Sequence, residues 1–372
     1  MNFKGYIKKY GTKSFNEYPF NDVDASLISF MSYPNWDLYV NSIDSESYNE
    51  MAFKDVEDEH IKPLIKNTPM PFSHKALLKL LRKSKRFKDI AVKYAEKKQD
   101  VGRKQQYFAC TFSIPSVGHL ISFRGTDLSV VGWEEDLIMS LDVVSNSQND
   151  ALEYVNKVSS LIDGDFYIGG HSKGGNNAIY SAMNVSKTIQ DRIIKVYSMD
   201  GPGFYKKDYY ESVKYKNIEN KIFQIIPKDS FVGVMFYTPK EYKIVSSRFL
   251  SAFQHDPISW RIRRNGEFFY KKKRTYMSRV RQKALVDWVD KASLETKALT
   301  IDAITNFFGG NDKDILYLLR HPNFIRRHLV FWFKKYDKNQ KKTILKFASS
   351  LVGSYIKCFF FYLKKKNRKT IL

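Results

Sequence analysis

The segment Tyr167–Met183, YIGGHSKGGNNAIYSAM, places a serine inside a run of glycines, between an apolar lead-in and a helix-like exit. A Gly-x-Ser-x-Gly sequence between a strand and a helix is typical of a sharp turn that presents the serine side chain. Glycine is expected at 170 and 174 because a Cβ two residues from the serine would strike the neighbouring backbone. The segment therefore predicts a strand-turn-helix unit with Ser172 as a candidate nucleophile.

Two other uses of a glycine-rich turn do not fit. A phosphate-binding loop ends in Gly-Lys-Ser/Thr, whereas here Lys173 follows Ser172 and precedes the last two glycines. The dinucleotide-binding fingerprint requires a glycine spacing that Gly170, Gly174 and Gly175 do not supply. A plain strand-to-helix connection remains the alternative to the nucleophile.

The surrounding pattern predicts an α/β fold. QYFACTFS and HLISFRG, separated by IPSVG, indicate a hairpin, and DALEYVNKVSSLI indicates a helix. DFYIGG, RIIKVYSMD and NKIFQIIPKD are typical of buried strands, with a helical segment between the last two. Strands that alternate with helices require crossover connections and a mostly parallel sheet. Helical spacing in ALLKLLRK and IAVKYAEKK predicts surface helices within residues 73–105.

Two further segments carry candidate site residues. ISFRGTD, residues 121–127, ends an earlier strand, where Gly125 and Thr126 can direct a backbone N–H at an oxyanion. A strand-end turn with a solvated arginine is the plain alternative. FQHDPISW, residues 253–260, places His255 on a loop after the last strand-like run, the position expected for a base that follows the acid in the chain.

Two aspartates compete to be the acid. Asp229 ends the second strand after the serine and is favoured, while Asp200 ends the strand before it and remains a rival. Asp256 adjoins His255 in sequence and is poorly placed to orient its ring. No metal or cofactor is implied, since Cys110 and Cys358 are far apart and match no metal-ligand spacing.

The charge of the chain is uneven. Its net charge is +23, and residues 261–372 hold 28 Lys and Arg against 8 Asp and Glu. This basic third predicts an anionic partner, either a membrane surface or a nucleic acid, with a solubilising face as the alternative. The segment RIRRNGEFFYKKKRTYMSRVRQK interleaves cations with aromatic residues, a pattern typical of nucleic-acid binding. A nucleic acid therefore stays an alternative partner.

The apolar run Ile344–Leu363 contains Lys357 and is followed by the cations Lys364, Lys365, Lys366, Arg368 and Lys369. It is borderline for a membrane span and fits an interfacial amphipathic helix or a packed helix better. The N-terminal sequence has no apolar run of signal-peptide length, and the cysteine usage fits a reducing compartment. A cytoplasmic location is therefore expected, with peripheral contact at the inner membrane face if the basic third binds lipid.

The motifs SFRGTD, Trp133-Glu134-Glu135-Asp136-Leu137 and GGHSKGGN resemble class 3 lipases of the α/β-hydrolase superfamily. EYPFNDVDASLISFMSY, GHSKGGNNAIYSAM, DGPGF and FQHDPISW are similar to its uncharacterised bacterial Mbeg-like branch, over about residues 14–265. The resemblance implies Ser172 as nucleophile, His255 as base, and an oxyanion hole from Thr126 and the N–H of Lys173, with Asp136 bracing that loop. Class 3 lipases usually carry leucine where this chain has Lys173.

We therefore expect an α/β-hydrolase domain over residues 1–270 and a helical basic region over 271–372. The expected chemistry is acyl-ester hydrolysis through an acyl-enzyme: Ser172 attacks, His255 relays the proton, and Asp229 holds the imidazole. A catalytically idle scaffold and a nucleic-acid-binding protein are the alternatives.

Overall fold

The computed structural model describes residues 1–127, 129, 132, 135, 136, 139, 144–308, 326, 330, 332 and 334–368. Trp133, Glu134, Leu137 and Lys369, which the sequence analysis singled out, lie outside the described residues.

A nine-stranded sheet, in which the strands follow one another in chain order, forms the centre of the molecule. The strands are β1 Met51–Ala52, β2 Ala91–Asp100, β3 Gln105–Ile114, β4 Gly118–Phe123, β5 Phe166–His171, β6 Ile193–Met199, β7 Ile222–Pro227, β8 Lys243–Val245 and β9 Tyr270–Lys271. Strands β4 to β8 are parallel, whereas β1 to β4 and the pair β8–β9 are antiparallel. The fold is α/β, as predicted, but the sheet is mixed and is parallel only in its central part.

Eleven α-helices accompany the sheet in the described part of the chain. They are α1 Phe3–Tyr10, α2 Asp22–Phe30, α3 Asp58–Ile65, α4 Pro71–Leu81, α5 Asn146–Leu161, α6 Lys173–Asn184, α7 Lys187–Arg192, α8 Val213–Lys216, α9 Tyr276–Asp290, α10 Leu294–Phe308 and α11 Lys338–Arg368. The hairpin β3–β4 and helices α4, α5 and α6 match their predicted segments.

One predicted helix is wrong. IAVKYAEKK forms most of strand β2, which pairs antiparallel with β3. The register shifts between Lys93 and Glu96, and Tyr94 lies at a φ of +53°. This bulge interrupts the alternation of buried and exposed side chains by which a strand is recognised in sequence.

Each face of the sheet carries its own apolar core. On one face, α1, α2 and α4 pack against residues of β2, β3 and β7. Phe30 of α2, Leu78 of α4 and Phe112 of β3 belong to this core. On the other, α5 and α6 contribute Tyr154, Val155 and Ala178. Helix α2 begins with a capping box, in which Asn21 accepts hydrogen bonds from Val23 and Asp24. Helices of both layers, α2 on one face and α6 on the other, pack against β5, the strand that leads to Ser172.

The helical region follows the last strand. Helix α9 packs against α11, where the rings of Trp288 and Phe347 stack with centroids 4.3 Å apart. In the part of the chain that the structure describes, no helix is both long enough and apolar enough to cross a membrane. The side chains of Lys364, Lys365, Lys366 and Arg368 are not among those described.

Candidate active site

Ser172 sits at the turn between β5 and α6 with φ +58° and ψ −131°, a strained conformation for a residue with a Cβ. A Cβ at Gly170 would lie 2.2 Å from the carbonyl oxygen of Gly174, and one at Gly174 would lie 2.1 Å from that of Phe123. Only glycine fits either position, as the sequence predicts. The Ser172 N–H donates to Met199 O at 2.9 Å, which anchors the turn to β6.

His255 ends the short 3-10 helix Ser251–His255, and its Nδ1 lies 2.8 Å from Oδ2 of Asp200. Asp200 follows β6 directly and is fully buried. Its other oxygen accepts hydrogen bonds from Ser230 Oγ at 2.6 Å and from the N–H of Gly233 at 3.1 Å. These bonds hold the carboxylate in one orientation, so it can fix the imidazole ring.

The structure corrects the preference for Asp229 as the partner of His255. Oδ1 of Asp229 instead accepts from Thr275 Oγ1 and from Arg281 at 2.6 Å, which ties the loop after β7 to the start of α9. Strand β6 lies directly beside β5, while β7 lies one strand farther away. Asp200, at the end of β6, is therefore the carboxylate nearer the serine turn. Asp256 bonds Ser73 and the N–H of Ile258.

The RGT loop, residues 124–126, lies against the serine. A Cβ built on Gly125 would be 2.8 Å from Ser172 Cβ and 2.6 Å from the carbonyl oxygen of His171. The hydroxyl of Thr126 donates to Oδ2 of Asp136 at 2.6 Å, the bracing contact that the resemblance implies. Burial raises the pKa of Asp136 to about 6, and the nearby positive charge of Lys173 opposes this shift.

The backbone N–H and the side-chain ammonium of Lys173 lie in different surroundings. Its backbone N–H lies in the first turn of α6, where helical N–H groups have no intrahelical acceptor. Its buried ammonium lies 2.7 Å from Glu135 Oε2 and also donates to the carbonyl oxygen of Gln106 at 2.6 Å. Glu135 further accepts from the N–H groups of Gln106 and Ser147. Lys173, which stands where the class 3 lipases named above usually carry leucine, thus forms a buried ion pair with Glu135.

His171, which the sequence analysis did not select, links the serine turn to His255. Its Nε2 lies 2.8 Å from the carbonyl oxygen of His255, which can only accept, so Nε2 carries the proton. Burial holds the pKa of His171 well below its ordinary value, so the ring is neutral and Nδ1 accepts from the hydroxyl of Tyr33 at 2.9 Å. The only sequence signal was its place inside the Gly-x-Ser-x-Gly motif.

The rings of His171 and His255 lie 4.4 Å apart between centroids, which brings His255 beside the serine turn. Among the described residues, no hydrogen bond joins Ser172 Oγ to His255. Hydrogen bonds between a nucleophile and its base commonly tighten only when substrate binds. The structure thus groups Ser172, His255, Asp200 and the RGT loop at the carboxyl ends of β4 to β6.

Two cavities border this group. An apolar cavity of about 80 Å³ lies between Asp136, the segment Met235–Phe236 and the helices α9, α10 and α11. A larger and more polar cavity of about 670 Å³ is lined by Tyr33, Arg124 and Asp127 among others. Within the described ranges, no group of three or more His, Cys, Asp or Glu side chains is arranged to hold a metal ion.

Fold and site together define an α/β protein with a strained serine, a histidine and a buried aspartate at the end of its parallel strands. The chain belongs to the Mbeg1-like family, whose model matches residues 81–306, more than half of the sequence. The match contains Ser172, Asp200, His255 and the RGT loop. It begins at residue 81 and so leaves out EYPFNDVDASLISFMSY, the first of the motifs that resemble that branch over about residues 14–265, and it extends beyond residue 265 into α10. No curated protein matches the chain.

Proposed function

We propose that this protein is a serine hydrolase of the α/β-hydrolase type, similar to class 3 lipases, that cleaves an acyl ester. The observation that carries the proposal is the bond between Asp200 and His255 beside Ser172 at its strained turn. Nucleophile, acid and base follow one another in the chain as 172, 200 and 255, the order expected for this fold. A triad is recognised by such geometry and by the role of each residue.

In the proposed reaction, the Ser172 hydroxyl attacks the ester carbonyl carbon and passes its proton to Nε2 of His255. The backbone N–H groups of Thr126 and Lys173 stabilise the tetrahedral oxyanion, each by about 3 kcal/mol. His255 then returns the proton to the leaving alcohol as the C–O bond breaks. Water, activated by His255, hydrolyses the acyl-serine and regenerates the enzyme.

The two cavities can bind the two parts of an ester substrate, the acyl chain in one and the alcohol portion in the other. The apolar cavity beside Asp136 offers Met235, Trp288 and Val289 to the first carbons of an acyl chain. The polar cavity beside Arg124 can receive the alcohol portion of the ester, which is the more hydrated part. The helices α9 and α10 then belong to the substrate site.

Hydrolysis of p-nitrophenyl acetate and butanoate by the purified full-length protein tests the proposal. We expect turnover by the wild type and none above background for Ser172→Ala. Ser181→Ala is the matched control, because Ser181 lies on the helix that follows Ser172 and its hydroxyl donates only to the carbonyl oxygen of Ala178 among the described residues. Equal turnover by wild type and Ser172→Ala, or none by either folded protein, would favour the idle scaffold.

A further inference from the structure

Large apolar side chains are exposed around His255. Phe72, Leu250 and Phe253 expose 86%, 73% and 78% of their surface, and Phe231 and Phe249 are also exposed. We call these five residues the apolar rim. Exposed clusters of this kind mark interaction sites, since single exposed apolar residues are ordinary but groups of them are not.

Hydrogen bonds bring the three segments of the rim together at the His255 loop. Phe249, Leu250 and Phe253 immediately precede His255 in the chain. Phe72 is held there through its neighbour Ser73, whose hydroxyl donates to Asp256 at 2.9 Å. Phe231 is two residues from Asp229, whose N–H donates to Gln254 Oε1 at 3.2 Å. The three segments of the rim therefore meet at the loop that carries the partly exposed His255.

A cationic cleft continues from the rim. Arg248, Arg261, Arg263 and Arg264 line an open cleft of about 530 Å³ together with the N-terminus of Met1. None of the four guanidinium groups is paired with an acidic side chain of the described residues. The pKa of the Met1 amino group is lowered by burial and then by the charges of Arg248, Arg261 and Arg264. We call these four residues the arginine cleft, and Arg248 directly precedes Phe249 of the rim.

We propose that the apolar rim and the arginine cleft form one docking surface for an anionic lipid bilayer. The proposal rests on the proposed function, because it assigns the lipid surface on which that same site works. Apolar side chains can enter the boundary between headgroups and acyl chains. A guanidinium group can donate two parallel hydrogen bonds to two oxygens of one phosphate. The charge of the cleft complements anionic headgroups, and the rim brings His255 to the bilayer.

This surface coincides only in part with the one that the sequence predicted. Arg261, Arg263 and Arg264 belong to the basic third, residues 261–372, from which an anionic partner was expected. That expectation also relied on the cations that follow Ile344–Leu363, whose side chains lie outside the described set. Here the cations are the four arginines of the arginine cleft, which lie in the chain between β8 and β9. A nucleic acid could also use the arginine cleft, but Leu250 has no ring to stack on a base. The exposed Leu and Phe side chains favour lipid.

Sedimentation of the full-length protein with vesicles tests the surface. We expect binding to phosphatidylcholine vesicles that contain phosphatidylglycerol and much weaker binding to phosphatidylcholine alone. Phe72→Ser/Leu250→Ser should lose most of the binding. Arg261→Gln/Arg263→Gln should lower affinity for the anionic vesicles by about tenfold, since each cation near the surface contributes. Leu161→Ser is the control, because Leu161 is 54% exposed at the end of α5, which leads to the amino end of β5, whereas the site lies at the carboxyl ends of the strands.

Three controls make the outcome decisive. Thermal melting should show that each variant is folded, and inorganic phosphate should not compete with vesicles at the concentration of their headgroups. The rate of p-nitrophenyl acetate hydrolysis should be unchanged in all three variants. Failure of the wild type to hydrolyse this ester would remove the proposed function but leave vesicle binding to be measured. Equal binding of wild type and both variants, or tighter binding to RNA than to vesicles, would overturn the docking surface.

Discussion

Nδ1 of His255 lies 2.8 Å from Oδ2 of Asp200, although 55 residues separate them in the chain. The aspartate is buried and holds two further hydrogen bonds, so its position does not depend on the histidine. Its carboxylate can fix the ring tautomer in which Nδ1 carries the proton and Nε2 is free to accept one. The distance thus identifies the acid of the proposed triad.

The first prediction separates the two aspartates. Asp200→Asn should lower kcat for a short ester by about 10³–10⁴-fold with little change in KM, because the amide favours the wrong imidazole tautomer. Asp229→Asn should leave kcat within about threefold of the wild type. It should lower thermal stability instead, since Asp229 pairs with Arg281 in a mostly buried setting. The opposite ranking of the two kcat values would return the role of acid to Asp229.

The partner of His255 could not be predicted from the sequence alone, whereas the fold around Ser172 could. The strand-turn-helix unit around Ser172 was predictable because the two glycines and the apolar strand are local features. Both Asp200 and Asp229 follow strands, and the local pattern favoured Asp229, which is not the partner of His255 in the structure. The decision depends on the order of β5, β6 and β7 in the sheet and on Ser230 and Gly233, which bond Asp200 from a later loop.

Other features also depend on contacts between distant segments. The bulge in β2 hides its alternation, and the pairing of Lys173 with Glu135 joins residues 38 positions apart. His171 occupies the position between glycine and serine in the Gly-x-Ser-x-Gly motif, and its bond to the His255 carbonyl appears only in three dimensions. The contact between Thr126 and Asp136, in contrast, was anticipated from motif resemblance.

The second prediction concerns the buried pair of Lys173 and Glu135. Lys173→Met should lower the free energy of unfolding by about 3–5 kcal/mol, because it leaves Glu135 charged and unpaired in the interior. The double variant Lys173→Met/Glu135→Gln should recover part of that loss. Activity per folded molecule should persist in both, since the backbone N–H at 173 is retained. Urea unfolding measures the free energies.

Lys216→Met, which breaks an exposed pair with Glu219, is the control for this series and should change stability little. A loss for Lys173→Met no larger than for this surface control would contradict the account of the pair.

The third prediction follows from the pKa of Asp136, which burial raises to about 6. A carboxyl group with a raised folded-state pKa favours folding in its protonated form, so its contribution is present at low pH and is lost as pH rises through about 6. Asp136→Asn removes that dependence. The free energy of unfolding of the variant, relative to the wild type, should therefore increase between about pH 4 and about pH 7 by on the order of 1–3 kcal/mol.

Urea unfolding at several pH values measures this difference. Asp163→Asn is the control, because Asp163 is exposed in the turn between α5 and β5. A difference between Asp136→Asn and wild type that is flat across this range, or that shrinks as pH rises, would be inconsistent with a raised pKa of the partly buried Asp136.

The most direct test of the proposed hydrolase is covalent labelling by a fluorophosphonate, which reacts with activated serines. Intact-mass measurement of the folded full-length protein should show one adduct, and peptide mapping should locate it on Ser172. Ser172→Ala should take no label, and His255→Ala should label far more slowly because its serine lacks the base. Folded wild-type protein that stays unlabelled, or that labels as readily after Ser172→Ala, would contradict the assignment of Ser172 as the nucleophile.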